Sequence, residues 1–140
     1  MKGFKTAIEY DAVENSNFRK VLYTGEYSQL VLMSLLPNEE IGIEAHDGND
    51  QFFRIEKGRG KCVIDGNEYE LLAGDAVVVP RGARHNVINI STTEALKFYT
   101  IYSPPHHMDG IVRATKIEAE TNGEEFDGMT TEGKQNTDGL

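Results

Sequence analysis

Four polar side chains in the middle of this 140-residue sequence have the chemistry of a reactive centre: Glu44, His46, Gln51 and His85. Imidazoles and carboxylates carry protons and bind metals near neutral pH. Each of the four sits in or beside a short run with strand-like alternation. On a strand, Gln51, Phe53 and Ile55 point one way and Phe52, Arg54 and Glu56 the other. His85, Val87 and Asn89 share a face, as do Glu44 and His46. Where the polar members turn inward, a carboxylate, two imidazoles and an amide meet in one apolar pocket. Leaving such groups unpartnered costs roughly 2–7 kcal/mol each, so something must satisfy them.

The surrounding segments read as strands. No stretch has sustained helical periodicity, and short runs rich in Val, Ile, Leu, Phe and Tyr alternate with turn signals roughly every 8–12 residues. After an N-terminal run come Asn17–Gly25, Ser28–Pro37, Glu40–His46 and Asp50–Gly60. Pro37 stops its strand because it lacks the ladder donor. Asp65-Gly66-Asn67 makes a hairpin turn between KCVI and EYEL, and Ala76–Pro80, His85–Ile90 and Glu94–Ser103 complete the set. About eight to ten strands suit an antiparallel all-β jelly roll of two sheets. The acidic, polar segment 115–140 follows a domain spanning 1–114. Its composition permits disorder, or a short helix at IEAE and a docked aromatic at Phe126.

Composition narrows the function classes. A hydrophobic content of 39% and a charged content of 26% suit one globular domain. Cys62 is the only cysteine; it permits no internal disulfide, fits a reducing compartment, and reads as a small buried apolar residue. The opening MKGFKTAIEYDAVE has no apolar run like that of a secretory leader or membrane span. A cytoplasmic location and no membrane partner are therefore expected. Of the net charge of −9, −5 falls on residues 115–140, leaving the rest only mildly acidic. Nucleic acid, which demands clustered Lys and Arg, is not an expected partner.

The spacing of the polar residues resembles the cupin superfamily, in particular its small single-domain bacterial members of the cupin 2, mannose-6-phosphate isomerase-like kind. Gly74, Pro80, Gly82, His85 and Asn89 meet that family's second motif in full. Fifteen residues separate Gly58 from Gly74, the compact spacing of the small members. The first motif departs from the family pattern. His46 takes the second histidine slot, but Glu44 replaces the first histidine, Gln51 replaces the acid, and Asn38 stands where the opening Gly is expected.

The resemblance implies a metal site formed by Glu44, His46, Gln51 and His85, with the carboxylate moved from position 51 to position 44. Two imidazoles, one carboxylate and open positions suit Fe, and also Mn, Co, Ni and Zn. Gln is a weaker donor, so looser binding is expected; a pocket holding only water or a ligand is the alternative. Asp47 and Asp50 are rivals to Glu44 that a one-residue offset turns away.

Other residues carry weaker signals. Tyr99 and Tyr102 lie on opposite faces of the last strand, so one of them can reach the pocket as a donor or general acid, and Glu44 is the other candidate catalytic group. Arg54 points outward. Arg81 and Arg84 are the only phosphate candidates near the second motif. Adjacent His106 and His107 cannot both face one point along an extended chain; they read as solvent-facing, with one of them capping the pocket as the alternative.

Three functions follow: a metal-dependent isomerase or lyase acting on a small polar or sugar-like metabolite, an iron-dependent dioxygenase, or a non-catalytic module binding metal or a small ligand. The family resemblance further implies a homodimer, to whose sheet Lys5–Glu9 could add as an edge strand.

Overall fold

The computed structural model describes residues 1–133. Its nine strands are β1 (Arg19–Thr24), β2 (Gln29–Leu35), β3 (Asp50–Lys57), β4 (Arg59–Ile64), β5 (Asn67–Leu72), β6 (Ala76–Val79), β7 (His85–Asn89), β8 (Leu96–Ser103) and β9 (Val112–Arg113). They form a six-stranded sheet, ordered β6-β3-β8-β2-β1-β9, facing a three-stranded sheet, β5-β4-β7. Every pairing is antiparallel. The fold is the expected all-β jelly roll. No helix among the described residues is long and apolar enough to cross a membrane.

Period-two alternation fills the space between the sheets. Leu96, Phe98, Thr100 and Tyr102 of β8 point inward, as do Gln51, Phe53 and Ile55 of β3. Register then sorts them into rows. Tyr102 pairs with Gln51 on one side and Gln29 on the other, Thr100 with Phe53 and Val31, and Phe98 with Ile55 and Met33. The barrel interior is therefore polar at one end and apolar through its middle, where Val87, Leu71 and Cys62 join from the second sheet. Cys62 is fully buried, and burial raises its thiol pKa to about 11.

Two segments differ from the sequence reading. The N-terminal run is not an edge strand: Ile8–Glu14 forms helix α1, with Ala12 buried. The side chain of Thr6 donates to Asp11 across its first turn, a local bond that competes with extended pairing. Glu40–His46 is not a continuous strand either. It runs along β7 through Ile41 N to Val87 O (2.9 Å) and a reciprocal pair between Glu44 and His85, but breaks at Gly42. Gly42 has φ +104 and donates to the Asn86 side chain at 2.9 Å rather than to a ladder carbonyl. A non-glycine residue pays a steric penalty at that φ, and the kink re-aims the two residues beyond it.

Past β9, helix α2 (Lys116–Thr121) is capped by Thr115, whose hydroxyl accepts from Glu118 N at 3.1 Å. Phe126 N donates to His106 O at 3.0 Å. Farther on, Thr131 Oγ1 accepts from Thr24 N at 2.8 Å, and Glu132 accepts from Tyr23 OH and from the backbone of Lys2 and Gly3. Segment 115–133 is thus tied to both β1 and the N-terminal chain. Residues 134–140 lie outside the described residues.

Asn89, the last residue of the second motif, lies far along β7 from His85 and serves the scaffold. Its amide donates to Leu35 O (3.1 Å), Leu36 O (3.0 Å) and Glu94 O (2.8 Å), and its carbonyl accepts from Ser91 N (2.9 Å). Replacing Asn89 with Ala strands the buried Leu35 carbonyl and the part-buried carbonyls of Leu36 and Glu94, so a loss of about 2–3 kcal/mol is expected. Chemical denaturation measures it.

Candidate metal centre

The centre is assembled by a two-residue bridge. Glu44 N donates to His85 O and His85 N donates to Glu44 O, each at 2.8 Å. A pair that exchanges both bonds places its side chains side by side on one face. Beyond Glu44 the chain turns, and His46 O accepts from Gly82 N at 2.9 Å, anchoring His46 to the loop that leads into β7. Donor atoms of Glu44, His46 and His85 all lie within 4.8 Å of one another. Three of the four residues singled out in the sequence therefore converge as one cluster.

Electrostatics favour the ligand forms. Ala83 O can only accept, so the 3.1 Å contact to His85 Nδ1 puts the proton there and leaves Nε2 with its lone pair. Burial holds the His85 pKa below the usual imidazole value. That Nε2 is buried without a hydrogen-bond partner. Burial alone would raise the Glu44 pKa, but the hydrogen bond from His46 Nε2 (3.0 Å) and the charges of His46, Arg19 and His85 bring it below the ordinary carboxylate value. Gln51, on the neighbouring β3, donates through Nε2 to Thr100 Oγ1 at 3.0 Å, which leaves its Oε1 buried and unpartnered. The orphaned imidazole lone pair of His85, beside the Glu44 carboxylate and His46, fits a divalent cation, and the orphaned Gln51 amide oxygen at the same barrel end is a further candidate donor.

The remaining candidates separate cleanly. Tyr102 faces inward, with its ring 5.8 Å from that of His46 and its hydroxyl 3.2 Å from His107 Nε2. Tyr99 is on the outer face of β8, 6.2 Å from Phe52, so its alternation excludes it from the pocket and from a catalytic role there. Arg54 points outward toward Glu56 at 3.4 Å, as alternation requires. Asp47 and Asp50 are exposed, and Asp50 accepts from Arg81 N. Arg81 and Arg84 are exposed on the loop before β7.

His106 and His107 both reach the centre, contrary to the expectation for an extended chain. The His106 ring lies 4.4 Å from that of His46 and 5.2 Å from that of Tyr102; the His107 ring lies 5.0 Å from that of Tyr102. The backbone is curled here by Gln29. Its Oε1 accepts from His106 N (3.1 Å) and His107 N (2.9 Å), while its Nε2 donates to His107 O (2.7 Å) and Thr24 Oγ1 (2.9 Å). The only hint of this in the sequence is a Gln at an inward position of an apolar strand.

Arg19, another residue that motif spacing did not mark, lines a cavity of about 220 Å³ with Glu44, His106 and His107. Residues Ala119–Glu125 supply its outer wall.

Comparisons with known proteins agree with this architecture. The cupin domain family model matches residues 31–102. The uncharacterized protein YrkC of Bacillus subtilis is 43% identical over 124 residues, an alignment covering 84% of this chain and 66% of YrkC. Protein L612 of Acanthamoeba polyphaga mimivirus is 39% identical over 119 residues, covering 83% of this chain and 74% of L612. The crystal structure of BH2720 from Bacillus halodurans superposes with a TM-score of 0.84 at 37% identity, covering 86% of this chain and 96% of that one.

Burial pulls the pKa of His107 down to about 2, and it also lowers those of His85 and His106. Below the ordinary imidazole value of 6.5 the unfolded chain takes up protons that the folded chain refuses. The stability in question is complete above that pH and is lost as the pH falls, for His107 by up to about 1.4 kcal/mol per pH unit. With chelator present, the melting temperature should drop steadily from pH 7 to 5, and His107→Gln should make the slope shallower.

Proposed function

The chain belongs to the cupin family, and on that premise we propose that it is a metal-dependent enzyme acting on a small polar metabolite. A divalent transition ion would be held by Glu44, His46, His85 and, more weakly, Gln51. The observation that carries this reading is the pair of buried orphan donors, His85 Nε2 and Gln51 Oε1, inside one barrel end with a carboxylate of lowered pKa. When bound there, such an ion supplies Lewis acidity that polarises a carbonyl or enediol oxygen.

A single carboxylate engaged as a ligand is poorly placed to serve also as the base, which shifts proton transfer from Glu44 to Tyr102. Burial raises the Tyr102 pKa well above the ordinary phenol value, so it stays protonated, and its hydroxyl shares a hydrogen bond with neutral His107. Tyr102 is thus the candidate proton donor of an isomerase or lyase, and neutral His107 orients its hydroxyl. His106, stacked on Tyr102, shields this pair from solvent on one side. A homodimeric, cytoplasmic protein belongs to the same proposal; it is supported by family habit and by the single, buried, reduced Cys62.

One feature favours a second reading. Two imidazoles and one carboxylate with unfilled positions also suit an iron-dependent dioxygenase. Oxygen uptake with iron and candidate diols or diketones tests it.

Elemental analysis of the purified protein tests the proposal itself. We expect a stoichiometric divalent metal, with His85→Ala losing it and melting several degrees lower because bound metal stabilises only the folded state. Full metal retention in His85→Ala would mean that the ligand set is wrong. No metal as purified, together with a melting temperature unmoved by Mn, Fe, Co, Ni or Zn, would sink both enzymatic readings and leave the binding module.

A further inference from the structure

The cavity beside the metal centre contains a cation whose role the ligand set does not explain. Arg19 opens β1, and its ladder neighbour on β9 is Arg113, so two like charges face each other across the strands. Such a pairing is unfavourable unless something compensates each charge. Arg113 is compensated by Glu124. Arg19 has no carboxylate within 4 Å among the described residues; its guanidinium rests 5.3 Å from the Phe18 ring. Its Nε is buried and has no hydrogen-bond partner. The charge nevertheless bears on the centre, because it lowers the pKa of Glu44 and acts on Tyr102, His106 and His107.

A buried guanidinium Nε–H without a partner is costly unless an acceptor completes it. We propose that Arg19 is the substrate-anchoring residue of this cavity and that its ligand is a small monocarboxylate. The carboxylate would pair with the Arg19 guanidinium, and the ligand's remaining polar atoms would reach the Glu44, His46 and His85 cluster. The inference rests on the proposed site. It adds the chemical class of the substrate.

Size and charge select that class. A cavity of about 220 Å³ falls below the roughly 300–1,000 Å³ of pockets for drug-sized ligands, which restricts the occupant to a small molecule. The wall offers one uncompensated guanidinium among Glu44, Glu124 and Glu125. A phosphate dianion there meets more repulsion than one arginine offsets. A monocarboxylate matches both the single charge and the planar two-pronged donor geometry.

The test is a thermal-shift and calorimetric panel of small monocarboxylic acids, including glycolate, lactate and pyruvate, each run beside its neutral amide and beside inorganic phosphate. Wild type, Arg19→Gln and Arg19→Lys are compared, with and without added Mn. At least one acid should stabilise wild type where its amide does not. Arg19→Gln should bind that acid about tenfold more weakly or worse, and Arg19→Lys should fall between.

Metal content and circular dichroism of the variants should match wild type, which separates loss of the anchor from loss of the fold. If wild type holds no metal but an acid still binds through Arg19, the proposed function fails and this inference stands. Equal acid binding by Arg19→Gln, tighter binding of phosphate or the amides, or no acid binding by wild type would overturn it.

Discussion

The two 2.8 Å backbone bonds exchanged by Glu44 and His85 are the constraint on which the centre depends. They come from main-chain atoms, so they fix spacing regardless of which side chains the two positions carry. A one-residue slip in this pairing would turn His85 out of the barrel and bring Asn86 in. The kink at Gly42 and the anchor from Gly82 to His46 bring the third donor to the same point. The side-chain chemistry is consequently a product of strand register, and register is defended by the apolar residues that follow His85 on β7.

A polar barrel end must also be made tolerable energetically. The row Gln29, Tyr102 and Gln51 sits where a jelly roll would otherwise be filled with aliphatic groups. Most of its polar atoms are matched: Gln29 is satisfied by the histidine loop and Thr24, Gln51 Nε2 by Thr100, and Tyr102 by His107. The matched atoms hold the scaffold. Among the buried atoms left without a hydrogen-bond partner, His85 Nε2 and Gln51 Oε1 on the barrel side and Arg19 Nε on the cavity side are where a ligand has something to complete.

Much of this was legible in the sequence, and the parts that were not share a cause. Local period and spacing reveal what depends on a single strand: the inward faces of β3 and β8, the inward His85, the exposed Arg54. They also exposed the substitution of Glu44 and Gln51 in the first motif. Residues acting across the chain stayed hidden. Gln29 matters because it meets His106 and His107, 77 and 78 positions away, and Arg19 because it borders Glu44. Alternation could leave Tyr99 and Tyr102 as equals until register put Tyr102 opposite Gln51. The helix Ile8–Glu14 was missed because its few apolar residues bury little beyond Ala12, too weak a stripe to produce a period.

The cavity's outer wall, from Ala119 to Glu125, and the donor cluster, from Glu44 to His85, occupy separate stretches of the chain. Neither stretch supplies the other's backbone ladder. Asn122, Gly123 and Glu125 are solvent-accessible positions outside the core, so the wall they form can change while the donor atoms and the barrel beneath them stay fixed. The shape of the cavity and the chemistry of the donor cluster are therefore written in different segments of the chain, and one can vary without the other.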